Sequence, residues 1–260
     1  MAALVRLLAA PAEGQGSVMG VHTHTLRVIH KWIGLVIGAQ FLLWTLSGAA
    51  MALLPMDEVA GGPARNQDTR PNLSTIDRWP EVQKQLGGIA VESLKVRTLL
   101  GREVYEISTP TRTLLFDAKS ATTIRVDEQT ARDIALSSHP AAAPVKSVDA
   151  LTELPMAVRE HKLPIWRVNF ADDRGSSYFV SGSTGEVLER RTSAWRLWDF
   201  FWMLHIMDYG ERASFNHPLI IVVGFAAVWL AITGTWLLLR TGWRTDFKRL
   251  HRKSSPSRPL

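Results

Sequence analysis

The stretch that decides the fold is residues 32–54, which read WIGLVIGAQFLLWTLSGAAMALL and contain no charged side chain. Residues 219–239, which read LIIVVGFAAVWLAITGTWLLL, form a second uncharged stretch. An apolar helix of ~20 residues is long enough to cross the hydrocarbon core of a bilayer. The two stretches therefore predict two transmembrane helices and argue against a purely soluble protein.

The excess positive charge of the chain lies outside the two apolar stretches. Three basic residues and one acidic residue precede the first stretch, and seven basic residues and one acidic residue follow the second. The region between them has a net charge of −2, within a total of +6 for the chain. The positive-inside tendency predicts that both termini are cytoplasmic and that residues 55–217 lie outside. The basic tail is expected to contact membrane lipid, and no nucleic-acid partner is expected.

Composition and motifs exclude several kinds of chemistry. The chain has no cysteine, which rules out disulfides, zinc-thiolate sites, iron–sulfur clusters, thiol nucleophiles and covalently attached c-type haem. It also has no Gly-x-Ser-x-Gly, no His-Glu-x-x-His and no glycine-rich nucleotide loop. His139 and His161 are grouped with no base or nucleophile and are expected to be ordinary surface or strand-end residues.

The pattern as a whole predicts an α+β fold class, with two transmembrane helices, an interfacial helix and an external domain made of two helix and antiparallel-sheet units. The predicted segments are a flexible cytoplasmic N-terminus (1–24), the first transmembrane helix (25–54), the external α+β domain (70–192), an interfacial aromatic helix (194–209), the second transmembrane helix (217–240) and a basic cytoplasmic tail (241–260).

Within the external domain, periodicity predicts two similar units. The first has a helix over 74–86, a strand over 94–98 and a hairpin formed by 103–107 and 113–116; the second has a helix over 127–136 and a meander formed by 164–170, 177–180 and 186–190. Ser74 and Asp127 are the expected helix caps. A weak internal repeat of strand, return strand and polar turn supports two such units in one domain.

Three histidines near the membrane are the candidate metal ligands. His30, Gly34 and Gly38 share one helix face, which is typical either of helix packing or of a ligand with room for a flat macrocycle. His205 lies on an aromatic face of the interfacial segment, at the same boundary as His217. Two neutral imidazoles at one membrane depth are the usual way to hold b-type haem without cysteine.

His30 and His217 lie at opposite ends of their spans. A straight helix of 23 residues is ~34 Å long, so these two histidines cannot bind the same iron in a simple antiparallel pair. The partner of His30 stays open among His22, His24, His251 and the same residue of a second copy.

Several motifs resemble a known family. LPIWRVNF (163–170), YFV (178–180) and TGEVL (184–188) resemble a PepSY domain. Arg27, His30, Lys31, Trp32 and Gly34 resemble the opening of PepSY-associated transmembrane proteins, and the pairs Leu204-His205 and Thr233-Gly234 are similar to the same family.

This resemblance implies a function for the histidines. Some PepSY transmembrane proteins are bacterial inner-membrane ferric-siderophore reductases with b-type haems between helices. The resemblance carries His30 and His205 over as haem ligands, whereas His217 is added from its position. The larger reductases have four or more spans, so a complete haem site here implies a homodimer or a partner membrane subunit.

Two functional hypotheses follow. In the first, the chain is an inner-membrane haem b electron-transfer protein that takes electrons from a cytoplasmic or quinol donor and supports reduction of an external ferric siderophore in iron uptake, as a reductase or its membrane subunit. In the second, it is a membrane-tethered PepSY binding or regulatory module, or a structural subunit without redox activity.

Overall fold

The structure is a computed structural model that describes residues 15–62, 71, 77–141, 143–210, 212 and 216–253. Of residues 15–23 and 240–253 it describes the backbone only. The chain divides into two compact units. A helical unit comprises Met1–Gly48 and Met203–Leu260, and an α+β unit comprises Ala49–Trp202.

The described residues form six α-helices and eight strands. The helices are α1 (Gln15–Ala52), α2 (Met56–Val59), α3 (Trp79–Leu86), α4 (Glu128–Ser138), α5 (Ser193–Ile206) and α6 (Pro218–Lys253). The strands are β1 (Ser93–Leu99), β2 (Arg102–Ser108), β3 (Thr113–Asp117), β4 (Thr123–Ile124), β5 (Val145–Ala150), β6 (Ile165–Phe170), β7 (Ser177–Ser181) and β8 (Val187–Arg191).

Two helices are long and apolar enough to cross a membrane, as predicted. The candidate spans are His24–Ala52 within α1 and Pro218–Leu239 within α6. Both helices continue beyond the apolar stretch, α1 on its N-terminal side and α6 through Lys253. α6 begins at Pro218. Proline is tolerated at this position because the N–H group that it lacks would have no partner within the helix.

The described part of the predicted N-terminal segment 1–24, residues 15–24, lies within α1, and the flexibility of the segment stays a prediction. α1 already begins at Gln15, because adding a residue to an existing helix is far easier than starting a new one. Residues 1–14 lie outside the described residues, as do residues 254–260 at the end of the predicted tail.

The α+β unit contains two four-stranded antiparallel sheets. Their strand orders are β1-β2-β3-β4 and β5-β6-β7-β8, so each sheet is a simple meander. α3 precedes the first sheet and α4 precedes the second, which confirms the two helix and sheet units expected from the sequence. All three predicted strands of the second meander are present as β6, β7 and β8.

Two strands were not predicted from the sequence. β4 is only two residues long, which is too short for an alternation pattern. β5 reads VKSVDA and is half-buried or exposed along its whole length, so its apolar residues are too few to reveal a buried face.

The main core of the α+β unit lies between α4 and residues of both sheets. It is formed by Leu99, Val104, Leu115, Val126, Ala131, Ile134, Ala135, Val168, Phe170, Tyr178 and Val180. A second core joins α3 to the first sheet through Val82, Leu86, Tyr105, Ile107 and Phe116. Gly185 borders the main core with φ of +70°, and a Cβ atom there would lie 3.1 Å from Ile134. This turn therefore requires glycine.

Two predicted caps have different outcomes. The carboxylate of Asp127 accepts a hydrogen bond of 2.8 Å from the backbone N–H of Thr130, which confirms it as the N-cap of α4. α3 begins at Trp79 with Pro80 in its first turn. Ser74, the other expected cap, lies outside the described residues.

His139 is buried, with only 4% of its surface exposed, so its predicted surface position is wrong. Its ring packs against Phe170, with 4.4 Å between the ring centroids, and against Tyr178. Its position at the C-terminal end of α4 places it beside the main core.

Candidate functional site

The helical unit brings α1 and α6 together as an antiparallel pair. His30 of α1 contacts Thr233 of α6, and a Cβ atom at Gly34 would lie 3.8 Å from Leu230. Gly34 is therefore a helix-packing position, and the space beside it is filled by a leucine side chain. The space beside Gly38 is open, with no heavy atom within 4 Å of a Cβ built there.

Thr233 and Gly234 of α6 hold the imidazole of His30. The Nδ1 atom of His30 lies 2.7 Å from the hydroxyl oxygen of Thr233. That hydroxyl donates its own proton to the backbone carbonyl of Trp229, at 2.8 Å. Because a hydroxyl has one proton, its donation to this carbonyl assigns Nδ1–H of His30 as the donor and the Thr233 oxygen as the acceptor. The neutral imidazole therefore carries its proton on Nδ1 and has a lone pair on Nε2.

Gly234 explains how the α6 backbone can approach this imidazole. A Cβ atom at Gly234 would lie 3.2 Å from Cε1 of His30 and 3.6 Å from Nε2. Such a contact is tighter than ordinary packing. A side chain at position 234 would therefore displace the imidazole, and glycine leaves room for it.

α1 holds His205 in a closely similar way. The Nδ1 atom of His205 lies 3.1 Å from the backbone carbonyl oxygen of Trp44 and 3.3 Å from the hydroxyl oxygen of Ser47. A carbonyl oxygen only accepts hydrogen bonds, so Nδ1 carries the proton and Nε2 again has the lone pair. The ring stacks on Trp44 at a centroid distance of 5.2 Å, and a Cβ atom at Gly48 would lie 3.2 Å from its Cε1 atom.

His217 has the opposite proton arrangement. The backbone N–H of Leu219 donates to its Nδ1 atom at 3.3 Å, so Nδ1 is the acceptor and a neutral ring carries its proton on Nε2. This contact satisfies one of the N–H groups that have no partner at the start of α6. The geometry gives His217 a capping role, and its assignment as a third iron ligand stays a prediction.

The structure does not bring the candidate histidines together. Among the described side chains, no hydrogen bond or ring contact joins any two of His30, His205 and His217, and no group of three or more His, Cys, Asp or Glu residues could hold a metal ion. The side chains of His22 and His251 lie outside the described ones. Among the described side chains, the site of His30 and the site of His205 each offer one Nε2 atom with a lone pair.

The residues around each imidazole were only partly foreseen. The pair Thr233-Gly234 stood out as a family motif, but its contact with His30 joins positions 203 apart in the chain. The contacts of His205 with Trp44 and Ser47 had no sequence signal.

The α+β unit contains a cavity of about 590 Å³ at the open edge of its first sheet. Its walls include β3, the two residues of β4 and the segment Gly182–Ser183. Arg112 and Arg125 line it, and neither guanidinium has a hydrogen-bond or ion-pair partner among the described residues. The volume lies within the range of ~300–1,000 Å³ that is usual for small-molecule sites.

Comparison with known proteins identifies the class to which this architecture belongs. The family model described as "PepSY-associated TM region" matches residues 27–259, which is nearly the whole chain. The chain therefore belongs to the PepSY-associated transmembrane family and is a membrane protein with two candidate spans. No curated protein matches the chain, and neither does any solved structure.

Proposed function

We propose that this chain is a b-type haem electron-transfer protein, with His205 and His30 as axial ligands through their Nε2 atoms. The observation that supports this proposal is the fixed proton position of both imidazoles. In each, Nδ1–H donates to an acceptor on a neighbouring helix, so that Nε2 is left with a lone pair. Metal-ligating histidines in proteins characteristically use their second nitrogen in this manner.

The donor set fits haem b better than other metal centres. Neutral imidazoles suit iron, and the chain has no cysteine to attach haem covalently or to bind an iron–sulfur cluster. Bound haem would supply reversible one-electron chemistry at its iron. The chain's own residues fix the imidazoles: Thr233 orients His30, while Trp44 orients His205 by its carbonyl and by stacking.

The proposal includes a second source of axial ligands. The site of His30 and the site of His205 each offer one Nε2 atom, whereas a six-coordinate b-type haem takes two axial ligands. A homodimer or a partner membrane subunit would supply the other. Both helices present large apolar side chains outward, including Val36 and Phe225, which are 67% and 75% exposed. Such faces are compatible with lipid and with a further helix.

The charge distribution supports the proposed setting of this activity. The net positive flanks of the two spans favour cytoplasmic termini and an α+β unit on the periplasmic side of a bacterial inner membrane. Electrons would come from a cytoplasmic or quinol donor, and the acceptor would be an external ferric siderophore, whose iron is released more easily after reduction to Fe(II).

The decisive test is an absorption spectrum of the detergent-purified protein, oxidised and then reduced with dithionite, together with the haem content per chain. We expect a sharp reduced band of the b type at about one or two haems per chain. A half-integral ratio would indicate a site shared across a dimer. Colourless protein that also fails to take up added haem would overturn the proposal.

Matched variants assign the ligands. His205→Ala and His30→Ala should each remove the haem at their own level, whereas His161→Ala should leave the haem content unchanged. His161 is a suitable control because its Nε2 atom lies 3.2 Å from the carboxylate of Glu189 in the α+β unit. Unchanged haem content in either of the first two variants would reject that residue as a ligand.

The cavity of the α+β unit favours a second candidate function, a membrane-tethered binding module. Two guanidinium groups without partners and an apolar wall that includes Leu114 and Ile124 suit a small organic anion. Calorimetric titration of the full chain with benzene dicarboxylates tests this. Arg112→Gln and Arg125→Gln should weaken binding, whereas Arg102→Gln, which replaces an exposed arginine of the same sheet, should not. Absence of binding to every dicarboxylate would reject this function for the cavity.

A further inference from the structure

The first sheet of the α+β unit has a strand edge that is only partly covered. β4 pairs with Leu115 and Phe116 of β3, so the earlier residues of β3, Thr113 and Leu114, have no strand beside them on that side. The cavity of about 590 Å³ lies along this uncovered edge, and Thr113 is one of its lining residues. The open edge therefore faces the cavity that the two arginines also line.

The hydrogen bonds at the two ends of β3 show which way the backbone of Thr113 points. The N–H of Asp117 donates to the carbonyl of Thr122, on the β4 side. The carbonyl of Arg112 accepts from the N–H of Thr109, on the β2 side. Backbone groups of successive strand residues point to opposite sides. Thr113, four positions before Asp117, therefore directs its N–H and C=O to the β4 side, where neither has a hydrogen-bond partner among the described residues.

The surroundings of this edge determine what kind of strand could be added to it. An exposed strand edge can bind an extended peptide through main-chain hydrogen bonds. Ile124 of β4 already occupies the place opposite Leu115, so a strand added beside Thr113 has to end there. Its end meets Arg125, which directly follows Ile124 and lines the cavity.

The charge of the lining selects the end of the peptide. None of the described residues that line the cavity is acidic, whereas Arg112 and Arg125 are both exposed and basic. A terminal carboxylate therefore finds a guanidinium group to bind, and an amino terminus finds no opposite charge. For the same reason, the far end of the peptide is expected to be the continuation of a longer chain, which leaves through the mouth of the cavity.

We propose that this edge binds the C-terminal tail of a partner polypeptide. The backbone of the tail pairs with Thr113, its terminal carboxylate binds Arg125, and Arg112 favours an acidic side chain further back in the tail. Leu114 and Ile124 provide apolar contacts for the last side chains. This inference rests on the second candidate function, binding of an anion in this cavity, and is independent of haem.

The test is calorimetric titration of the full chain in nanodiscs with the peptide acetyl-glutamyl-valyl-leucine. Its C-terminal carboxylate is replaced by an amide in a matched peptide, which has the same side chains and backbone. We expect the acid to bind about tenfold more tightly than the amide, because a hydrogen bond between two charged groups is stronger than one to a neutral group. Empty nanodiscs correct for partition of the peptides into lipid.

Two substitutions of Thr113 test the pairing of the backbone. Thr113→Pro removes an N–H that no strand of the sheet uses, and proline is tolerated at such an edge, so the unit should still fold. Thr113→Val also removes the hydroxyl but keeps the N–H. We expect the acid peptide to bind about fivefold more weakly to Thr113→Pro and with unchanged affinity to Thr113→Val.

Substitutions of the arginines assign the carboxylate. Arg125→Gln should abolish the preference for the acid over the amide, whereas Arg112→Gln should weaken the binding of both peptides by the same factor. Arg102→Gln, in the same sheet, should change neither affinity. As a second measurement, the bound peptide should slow hydrogen exchange in residues 112–114 but not in β1, which forms the opposite edge of this sheet.

Several outcomes would overturn the inference. These are equal affinity of the parent chain for the acid and the amide, equal affinity of Thr113→Pro and Thr113→Val for the acid, and tighter binding of a peptide with a free amino end than of its acetylated form. If benzene dicarboxylates bind and neither peptide does, the inference fails and the second candidate function stands. If neither kind of ligand binds, both fail.

Discussion

The helical unit and the α+β unit hold their histidines in different ways. In the helical unit, His30 and His205 each use Nδ1 to bond an acceptor on another helix, and Nε2 has no hydrogen-bond partner among the described residues. In the α+β unit, the imidazole of His139 has an acceptor at both ends, the carbonyl oxygen of Ala141 at 2.6 Å and the carboxylate of Asp172 at 3.4 Å. His161 uses its Nε2 atom for Glu189.

This comparison separates two roles that residue type alone cannot separate. An imidazole with both nitrogens engaged, as in His139, ties one part of a fold to another and leaves neither nitrogen free for a further ligand. An imidazole with one nitrogen engaged and the other unoccupied is oriented but still able to bind. Substitutions of these histidines and of their partners test whether this difference is real.

The largest effect is expected for His139→Ala. The substitution removes a side chain packed against Phe170 and Tyr178 and leaves the half-buried carboxylate of Asp172 without one of its partners. We expect the α+β unit to lose about 3 kcal/mol of stability. Limited proteolysis of the full chain in urea measures this loss. Loss of haem without any loss of stability would show that the two roles are assigned to the wrong histidines.

The next effect is expected for Thr233→Val, which keeps the shape of the side chain and removes the acceptor for Nδ1 of His30. Groups that orient a ligating histidine typically contribute 10–100-fold in metal affinity. We therefore expect a loss of that order in haem affinity at the level of His30, measured by haem titration of His205→Ala protein so that one site is observed. The stability of the α+β unit should not change. An unaltered affinity would mean that Thr233 does not fix the ring.

An intermediate effect is expected on the stability of the α+β unit at low pH. Burial by itself would raise the pKa of Asp172, but hydrogen bonds from the hydroxyl and N–H of Ser176, together with His139, lower it overall. A carboxyl group with a lowered folded-state pKa contributes stability that is present above the unfolded value of ~3.9 and is lost as the pH falls through the folded-state value.

The α+β unit should therefore lose stability through this group as the pH falls below about 4. Asp172→Asn should flatten the pH dependence in that window, as followed by urea unfolding at stepped pH. The spans should keep their helical circular dichroism under the same conditions, because residues 32–54 and 219–239 have no charged side chain. An identical acid profile for Asp172→Asn would show that other carboxyl groups dominate.

Features set by local pattern were the ones that the sequence revealed. The two spans follow from length and absence of charge, the Asp127 cap from one residue type before an amphipathic helix, and most strands from alternation. β5 was missed because it is half-buried or exposed along its whole length, so its composition shows no buried face. The buried position of His139 depends on aromatic residues of β6 and β7, which no local pattern could show.

For the candidate site too, local sequence pattern revealed only part of the arrangement. His30 and His205 were found by resemblance to a family, and His217 by its position at a membrane boundary. The proton position of each ring depends on a contact with a distant or backbone group, which separates the proposed ligands from the capping residue. For His217 that group is the N–H of Leu219, two residues away. Its effect could have been foreseen, because a histidine just before a helix can cap its first turn.

The smallest effect is expected for Ser47→Ala, and it sharpens the comparison within the helical unit. Nδ1 of His205 lies closer to the carbonyl oxygen of Trp44 than to the hydroxyl of Ser47, and the carbonyl remains when the hydroxyl is removed. The ring also keeps its stacking on Trp44. We therefore expect haem affinity at this level to fall by less than about threefold, well short of the loss for Thr233→Val, since removing an already weak contact costs only ~0.5 kcal/mol. Haem titration of Ser47→Ala in the His30→Ala background measures it. A loss as large as that of Thr233→Val would mean that the serine hydroxyl, and not the backbone carbonyl, sets the proton position of His205.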